Sequence, residues 1–419
     1  EERPRVRVLP RRDRFDRFMS ILVYLPRRRS SNDVVEAVGE LLAERYKGHI
    51  SGLNLFFPEG PMMRAHFIIA RSADRIEEPD RATLESGVSA IVRTWVDALG
   101  EELARTQEPS RARHLFERYR KAFSASFRDR YSPETALDNI RTIESLSAER
   151  PLSVDFHERH EGDGRVIGLK VWSYGGAIPL SSRVPMLENM GFKVVAERTY
   201  EIRPGTPAGT HVWMHDMSLE SADGAPIDVE KLQVALEACF LMVMRGIAEN
   251  DGYNALVLKA GLQWRDIVLI RSISRFLRQV RLPFSQDYMW NTLRAHPQIA
   301  SQIVALFHAR FDPRELAEAG RTAKQAEIVA AIETALEKVP SLDEDRILRH
   351  FVNAVQSAIR TNFFQIGDDG HPKAVIAIKY ESGKLTTLPA PRPLYEIFVY
   401  SPRVEGVHLR FGKVARGGI

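Results

Sequence analysis

The stretch Arg165–Ile202, which reads RVIGLKVWSYGGAIPLSSRVPMLENMGFKVVAERTYEI, contains the pattern that decides the fold. Its first run, RVIGLKVWSY, is rich in β-branched and aromatic residues and predicts a strand. A loop and a segment with apolar residues at helical spacing follow, and Gly191 marks the end of that helix. The run VVAERTYEI then predicts a second strand. The stretch is therefore a strand–helix–strand unit, in which the helix covers one face of a sheet.

Two more elements extend this unit toward the carboxyl terminus. The run GTHVWMHDMSL predicts another strand. The run DVEKLQVALEACFLMVMRG predicts a long, mostly apolar helix, with Asp228 at its start as a cap. The segment therefore has the order β-α-β-β-α, which is typical of a small regulatory domain.

An earlier segment repeats this order. The run Arg17–Pro26 predicts a buried strand that ends at proline, and Ser31 or Asn32 can cap the helix that follows. Gly48 is expected to end that helix. The runs GHISGLNLFF and MMRAHFIIA then predict two strands. The two segments share their order of elements without obvious residue identity, so the repeat is one of architecture.

Helical segments separate and follow the two repeats. Residues 80–147 and 250–338 show the period of amphipathic helices. Ser341 and Glu344 have the spacing of a capping box and begin a further helix. The predicted apolar stripe of that helix consists of Ile347, Leu348, Phe351, Val355, Ile359 and Phe363. From about residue 372 the sequence becomes strand-rich, which predicts the beginning of a β-containing domain.

Composition restricts the class of protein. The 419 residues are 44% hydrophobic and 27% charged, which is typical of a chain that folds into several globular domains. The formal net charge is only +4, so we expect no nucleic-acid partner. The single cysteine, Cys239, excludes an internal disulfide and favours a reducing, cytoplasmic location. No apolar run is long enough for a membrane span, so we expect no membrane partner.

The histidines do not form a metal-ligand pattern. His211 and His215 lie on one predicted strand, where four residues span about 13 Å, and that separation is too large for two ligands of one zinc ion. His157 and His160 fall in FHERHEGDG, which predicts a solvent-exposed hairpin loop. No P-loop and no G-x-S-x-G motif is present. We therefore expect no metal site and no catalytic residue within the chain.

A basic stripe lies on one predicted helix. Arg271, Arg275 and Arg278 recur at helical spacing. A solvated or ion-paired face is the ordinary explanation of such a stripe, and an anion or partner site is the alternative. The sequence leaves both open.

Several runs together resemble one family. The resemblance covers nearly the whole chain, and its last run is the most specific. The runs are DRFDRFMSILVYLPR, IPLSSRVPMLENMGFKVVAERTYEIRP, AENDGYNALVLKAGLQWRDIVLIRSISRFLRQ, SLDEDRILRHFVNAVQSAIRTNFFQ and PRPLYEIFVYSPRVEGVHLRFGKVARGGI. They are similar to the large bacterial NAD-specific glutamate dehydrogenases, which carry tandem ACT-like regulatory domains and helical segments ahead of a catalytic core.

The resemblance implies an α+β fold in five parts. Two ACT-like (ferredoxin-like βαββ) domains are expected at residues 1–75 and 150–248. A helical connector is expected at 76–149, and a helical domain at 249–370. Residues 371–419 are expected to be the incomplete, β-rich start of the substrate-binding part of the catalytic domain. In the family the final ARGGI run continues into a lysine-bearing substrate loop and a Rossmann domain, so we expect this chain to stop at the threshold of its active site.

The resemblance also implies a reaction. L-glutamate, NAD⁺ and water give 2-oxoglutarate, ammonium and NADH, with NAD bound by a part of the protein outside this chain. The chain is then expected to be regulatory, to help form a homo-oligomer, and not to be catalytic alone. Two alternatives stay open: a stand-alone ACT module that senses an amino acid, or a purely structural assembly scaffold.

The resemblance suggests substrate-binding residues in the final run. Arg416, Gly417 and Gly418 match the Lys-Gly-Gly step of smaller glutamate dehydrogenases. In that step two glycines let the backbone approach the substrate dicarboxylate, and a neighbouring cation neutralises a carboxylate. Arginine in place of lysine leaves open whether Arg416 contacts substrate or only braces the loop.

A candidate effector site lies in the second ACT-like segment. In ACT-like domains the loop after the first strand and the start of the first helix commonly frame an amino-acid ligand. Here that region contains Leu180, Ser181 and Ser182. A helix start offers unpaired N–H groups and a positive dipole end, which suit a carboxylate. The alternative is that the serines only cap the helix.

Overall fold

The structure is a computed structural model that gives the chain as two compact units, residues 1–140 and 141–419. It describes residues 5–15, 17–71, 79–161, 164–205, 211–314, 318–368, 370–386 and 388–412. The sheets of the described residues are antiparallel and four-stranded, and helices separate them. The expectation of a mixed fold of helices and sheets is confirmed.

The amino-terminal unit begins with what we call the first repeat. Its elements are β1 (Arg7–Arg12), β2 (Phe18–Pro26), α1 (Asn32–Arg45), β3 (Gly48–Phe56) and β4 (Met62–Arg71). The strands are arranged in the order β1-β2-β4-β3. Strict alternation buries Met19, Ile21, Val23 and Leu25 of β2 in the core, as expected for a sheet with one face covered.

The end of α1 differs from the prediction. Ser31 caps the helix as expected, by accepting a hydrogen bond from the Val34 N–H at 3.4 Å. The left-handed residue after the helix is Lys47, with φ of 48°, and Gly48 already belongs to β3. Glycine is needed at position 48 because a Cβ atom there would lie 2.2 Å from the Ala70 carbonyl oxygen.

Helices complete the amino-terminal unit. They are α2 (Arg81–Val92), α3 (Trp95–Thr106), α4 (Pro109–Tyr119), α5 (Ala125–Arg130) and α6 (Pro133–Glu144), the last of which runs into the second unit. Thr94 and Asp97 form a capping box at the start of α3. The prediction of a helical segment at 80–147 is confirmed.

The second unit begins with an equivalent fold, the second repeat. Its elements are β5 (Leu152–Glu161), β6 (Gly164–Tyr174), α7 (Leu180–Asn189), β7 (Phe192–Ile202), β8 (Val212–Ser221) and α8 (Val229–Met244). The strands are arranged in the order β5-β6-β8-β7, which matches the first repeat. Asp228 caps α8 by accepting the Lys231 N–H.

The two edge strands also share an irregularity. The pairing of β3 with β4 shifts between Ile50 and Gly52, and the pairing of β7 with β8 shifts between Val194 and Ala196. In both strands the extra residue is the fourth of the strand. The predicted repeat in the order of elements is therefore confirmed, and the two copies also share their strand pairing and the position of the bulge.

Each repeat has one strand more than predicted. β1 and β5 precede the predicted first strands and pair with them. His157 and His160 lie on β5, so the prediction of a solvent-exposed loop was wrong; the His160 side chain lies outside the described residues. Both added strands lie at a sheet edge, where charged residues and proline are tolerated, and this composition disguised them.

Helices follow the second repeat and lead into a third sheet. The helices are α9 (Leu256–Ala260), α10 (Trp264–Gln279), α11 (Gln286–Ala295), α12 (Pro297–Phe311), α13 (Glu318–Leu336) and α14 (Leu342–Ser357). The strands are β9 (Ala358–Thr361), β10 (Ile376–Glu381), β11 (Tyr395–Ser401) and β12 (Val404–Arg410), in the order β12-β11-β10-β9.

The predicted apolar stripe of α14 was wrong at its carboxyl end. The helix stops at Ser357, so Ile359 lies on β9 and Phe363 lies beyond that strand. Ile359 is 41% exposed and does not face the core. The backbone of β9 pairs with β10, so sheet hydrogen bonds replace the helical ones at this point. Strand structure therefore begins earlier than the predicted position near residue 372.

One apolar core runs through the second unit, from Val154 on β5 to Tyr400 on β11. Cys239 on α8 is 1% exposed, belongs to this core and forms no disulfide, as predicted. Burial raises the pKa of its thiol to about 12, so the thiol is inert at neutral pH. Among the described helices, none has the length and apolarity needed to cross a bilayer.

Candidate effector site

The predicted effector residues lie on the first turn of α7. Leu180 is 49% exposed, and Ser181 and Ser182 are also exposed. The residue before the helix is Pro179, and no side chain caps this end. The alternative explanation, that the serines cap the helix, was therefore wrong. Among the described residues, no acceptor receives a hydrogen bond from the backbone N–H of Leu180 or Ser181. Unpaired N–H groups are usual in the first turn of a helix.

The loop before α7 is held by polar contacts. Gly175, with φ of 85°, donates its N–H to the His211 carbonyl oxygen at 2.8 Å. The Ser173 hydroxyl donates to the Gly176 carbonyl oxygen at 2.6 Å. The Ile178 N–H donates to Nε2 of His215 at 3.2 Å. These three contacts fix the backbone that leads into the predicted site.

His215 connects this loop to a chain of polar contacts that we call the relay, in which His215 and Arg183 are buried and Thr199 is exposed. Because Nε2 accepts a hydrogen bond from a backbone N–H, the ring proton lies on Nδ1, which donates to the Thr199 hydroxyl at 2.9 Å. The Thr199 hydroxyl then donates to Oε1 of Glu197 at 2.5 Å. Arg183 completes the relay, since both of its terminal nitrogens donate to the same oxygen at 3.1 Å. Glu197 Oε1 therefore accepts hydrogen bonds from both Thr199 and Arg183, and it is the acceptor at the end of the relay.

The charges in the relay follow from burial and pairing. Burial and the nearby Arg183 cation lower the pKa of His215 to about 4, so the ring is neutral at physiological pH. Burial opposes ionisation of Glu197, but the Thr199 hydrogen bond and the Arg183 charge outweigh it and lower the pKa of that carboxyl. Burial also lowers the pKa of Arg183, although Glu197 offsets part of this effect. The relay therefore contains one cation, one anion and a neutral imidazole.

Arg183 is the least expected member of this group. Arg183 is 2% exposed, and its Nε atom has no hydrogen-bond partner among the described residues. Its charge is already matched by Glu197. We conclude that the relay orders the loop beneath the predicted effector site and is not itself an anion site.

His211 and His157, two further histidines of the second repeat, have separate partners. His211 pairs with Glu201 at 2.7 Å, and His157 pairs with Asp155 at 2.9 Å. His211 and His215 are therefore not brought together. In the described part of the chain, no group of three His, Cys, Asp or Glu side chains is placed to hold a metal ion.

The basic stripe of α10 forms a second polar centre. Arg271 is fully buried and donates to both carboxylate oxygens of Asp251, at 2.7 and 2.8 Å. It also donates to the Asn254 side chain at 2.8 Å and to the Glu249 carbonyl oxygen at 3.3 Å. Burial works against the guanidinium charge, but the Asp251 hydrogen bonds outweigh it and raise the pKa of Arg271. The ion-paired explanation is thus correct for this arginine.

Glu249 links this centre to the third sheet. One carboxylate oxygen accepts from Arg275 at 2.6 Å, and the other accepts from the Tyr400 hydroxyl on β11 at 2.9 Å. Asn250, the next residue, accepts from Asn189 at the end of α7 at 3.0 Å. We call residues 249–254 the junction segment, because its side chains contact both the effector helix and the third sheet.

The predicted substrate residues Arg416, Gly417 and Gly418 lie outside the described residues.

Comparison with known proteins gives matches along the whole chain. The matching profile descriptions are glutamate dehydrogenase ACT2 domain at 7–96, helical motif 2 at 102–146, ACT3 domain at 151–232 and helical motif 3 at 248–313, and bacterial NAD-glutamate dehydrogenase catalytic domain at 331–419. A protein of Halomonas elongata named NAD-specific glutamate dehydrogenase is 36% identical over 418 residues, which is 100% of this chain.

The chain belongs to the family of bacterial NAD-glutamate dehydrogenases. A Pseudomonas aeruginosa protein of the same name is 36% identical over 420 residues and 100% of the chain. A Mycobacterium tuberculosis protein of that name is 33% identical over 429 residues and 98% of the chain. The chain spans 26% of the length of each of these glutamate dehydrogenases. The first repeat lies within the ACT2 match, and the ACT3 match covers the strands and α7 of the second repeat and ends at residue 232, within α8.

Proposed function

We propose that the chain is the regulatory and domain-linking part of an NAD-dependent glutamate dehydrogenase, active in the cytoplasm. The full protein would convert L-glutamate, NAD⁺ and water into 2-oxoglutarate, ammonium and NADH, with NAD bound outside these residues. The observation that carries this proposal is the 36% identity to named relatives over the whole chain. NAD supplies the hydride chemistry, while the protein supplies orientation and electrostatics.

The proposed division of labour follows the chain. Residues 1–75 and 150–248 are the two ACT-like domains, and residues 76–149 and 249–370 are the helical connector and helical domain. Residues 371–419 would begin the substrate-binding part of the catalytic domain. The sheet β9–β12, which lies within the catalytic-domain match at 331–419, supports this last assignment.

Substrate contacts are proposed for the final run. Gly417 and Gly418 would let the backbone approach the substrate dicarboxylate, and Arg416 would neutralise one carboxylate. The proposal rests on the match to the Lys-Gly-Gly step of smaller glutamate dehydrogenases.

An amino-acid effector is proposed for the start of α7. The carboxylate of the amino acid would accept hydrogen bonds from the backbone N–H groups of Leu180 and Ser181. The Ser181 and Ser182 hydroxyls would add further hydrogen bonds. The exposure of these residues and the lack of a side-chain cap support this site. The His215 relay would hold the loop in the conformation that leaves the N–H groups accessible.

The junction segment would carry the effector's influence onward. A shift of α7 would act on Asn250 through Asn189, and on the third sheet through Glu249 and Tyr400. Each of these steps is a direct contact between described residues. The coupling between α7 and the third sheet can therefore be tested by removing a single contacting group. Tyr400→Phe removes the hydroxyl that contacts Glu249 and keeps the ring.

The experiment uses the full-length protein that contains this chain. NADH formation from L-glutamate, followed by absorbance, tests the activity itself, and its absence would overturn the assignment.

Calorimetric titration with single amino acids tests the effector site. We expect Ser181→Ala with Ser182→Ala to weaken binding, and Ser126→Ala, an exposed serine elsewhere, to leave it unchanged. Tyr400→Phe should reduce activation or inhibition by the bound amino acid and retain its binding.

A homo-oligomer is proposed as well, and one surface favours it. β3 is an unpaired edge strand of nine residues, and Ile50, Leu53 and Leu55 on it are 37–43% exposed. An edge strand with exposed apolar side chains is suited to pairing with another chain. We propose a second copy of this protein as its partner.

A further inference from the structure

The amino-terminal unit contains an open cleft that the proposed function does not use. Its volume is about 980 Å³, within the range of small-molecule sites. The walls come from the start of β1, the turn after β2, and helices α2, α3 and α4. The cleft therefore lies in residues 1–140, whereas the proposed effector residues lie on α7.

Arginine dominates the charged lining of this cleft. Five arginines and three acidic residues face it, namely Arg5, Arg7, Arg29, Arg93, Arg113, Glu85, Asp97 and Glu101. The formal balance is five minus three, or +2. A cleft lined by one sign of charge concentrates counter-ions of the opposite sign.

Three of the arginines are already matched. Arg7 pairs with Glu85 at 3.1 Å, and Arg93 pairs with Glu101 at 2.6 Å. Arg29 donates to both carboxylate oxygens of Asp97, at 2.6 and 3.0 Å.

The acidic partners are held in place by further contacts. Burial opposes ionisation of Asp97, but hydrogen bonds from Thr94 and from Arg29 lower the pKa of its carboxyl. Burial likewise opposes ionisation of Glu85, but the Val8 N–H and the Arg81 side chain lower the pKa of that carboxyl. Both acids are therefore charged at neutral pH and keep Arg7 and Arg29 in fixed positions.

Arg5 and Arg113 supply the excess charge. Neither forms an ion pair with any other described residue, and both are exposed toward solvent. They belong to different walls, because Arg5 precedes β1 and Arg113 lies on helix α4. A ligand that uses both would need two acidic groups joined by a spacer.

The remaining lining provides room and an apolar surface. Ser86, Ser89 and Ala90 are small residues on α2, and Gly100 lies directly against the Phe116 ring, where a Cβ atom would come within 3.0 Å. These walls accommodate a carbon framework between the acidic groups.

We propose that this cleft binds a small organic polyanion that carries at least two phosphate or carboxylate groups. Arg5 and Arg113 bind one group each, because a guanidinium pairs with either oxyanion through two parallel hydrogen bonds. The three ion pairs hold Arg7, Arg29 and Arg93 against their acidic partners, so these arginines do not bind the ligand. The inference does not depend on glutamate dehydrogenase activity.

The test is calorimetric titration of the full-length protein that contains this chain, at constant ionic strength. Tripolyphosphate and tricarballylate serve as separate probes, so the two sources of anionic groups are distinguished. We expect at least one probe to bind, and Arg113→Gln to weaken its binding about tenfold. Arg111→Gln, an exposed arginine on the same helix that does not line the cleft, is the matched control and should leave affinity unchanged.

A second variant separates charge from space. Ser89→Trp leaves every charge in place and fills the cleft from an exposed position, so we expect it to abolish binding while the chain stays folded. Failure of both probes to bind at millimolar concentration would overturn the proposal. Equal losses in the Arg113→Gln and Arg111→Gln variants would also overturn it, because they would show attraction by net charge alone. Neither result would bear on NADH formation or on amino-acid binding at α7.

Discussion

His215 accepts a hydrogen bond from the Ile178 backbone through Nε2, so a proton on that atom breaks the contact. The folded-state pKa of about 4 lies below the ordinary value of 6.5. As pH falls from 6.5 toward 4, the unfolded chain binds this proton and the folded chain does not. The stability contributed by neutral His215 is therefore lost across that window, to a total of about 3 kcal/mol.

This yields a direct measurement. Histidine ring resonances of the folded protein should show His215 titrating near pH 4, and protection of the Ile178 amide from hydrogen exchange should fall over the same range. His215→Asn, which has no titrating ring, should lose that pH dependence. A ring that titrates near 6.5 would contradict the buried, hydrogen-bonded position of His215.

The relay also shows what the sequence could not provide. Alternation on β7 places Glu197 and Thr199 on one face, and the pairing of β7 with β8 sets Thr199 opposite His215. Predicting this requires the register of two strands, and the bulge between Val194 and Ala196 shifts that register by one residue. The sequence therefore predicted His215 as a strand residue and left out its partners.

Elements with a strong period were predicted well, and elements at sheet edges were not. Helices α1 and α8 were expected with caps, Ser31 or Asn32 for α1 and Asp228 for α8, because both an apolar stripe and a capping residue signal them. β1 and β5 were missed because an edge strand has one unpaired side and tolerates charges. The end of α14 was misplaced because the helical spacing continues through Ile359, although the backbone there pairs with β10.

Helix α10 contacts the junction segment through one fully buried cation, Arg271. Arg271→Met removes the guanidinium and leaves the Asp251 carboxylate without its partner, so we expect a loss of about 3 kcal/mol or more in the free energy of unfolding. Arg271→Lys should recover only part of this, because an ammonium cannot reproduce the two parallel hydrogen bonds.

Differential scanning calorimetry of the chain and its variants gives the comparison. Arg278→Met, an exposed position on the same helix, is the control and should stay within about 0.5 kcal/mol of the unchanged protein. An Arg271→Met variant as stable as this control would show that the buried ion pair contributes nothing to the junction.

At the scale of the whole molecule, the two repeats differ in how deeply their edge strands, β3 and β7, are buried. On β7 the side chains of Tyr200 and Ile202 are buried, whereas every residue of β3 is at least partly exposed. Positions Ile50 and Leu53 are apolar and open to solvent, an arrangement that a soluble surface ordinarily avoids. The Ile50 side chain also packs against Gly39 of α1, so the fold uses part of this apolar surface, and we propose that a partner covers the exposed part.

If β3 pairs with a second copy, a charge on its apolar face should weaken the assembly. We expect Leu53→Lys to shift the full-length protein toward smaller species in sedimentation velocity, because an unpaired ammonium would be buried at the contact. Asn54→Lys adds the same charge on the opposite face of the same strand, where the neighbouring register position is His66, and should have a smaller effect. Unchanged mass for Leu53→Lys, or equal dissociation by both variants, would show that this apolar face is not the contact. A fold check by circular dichroism keeps the outcome interpretable, since Leu53 is 43% exposed and its replacement removes little core packing.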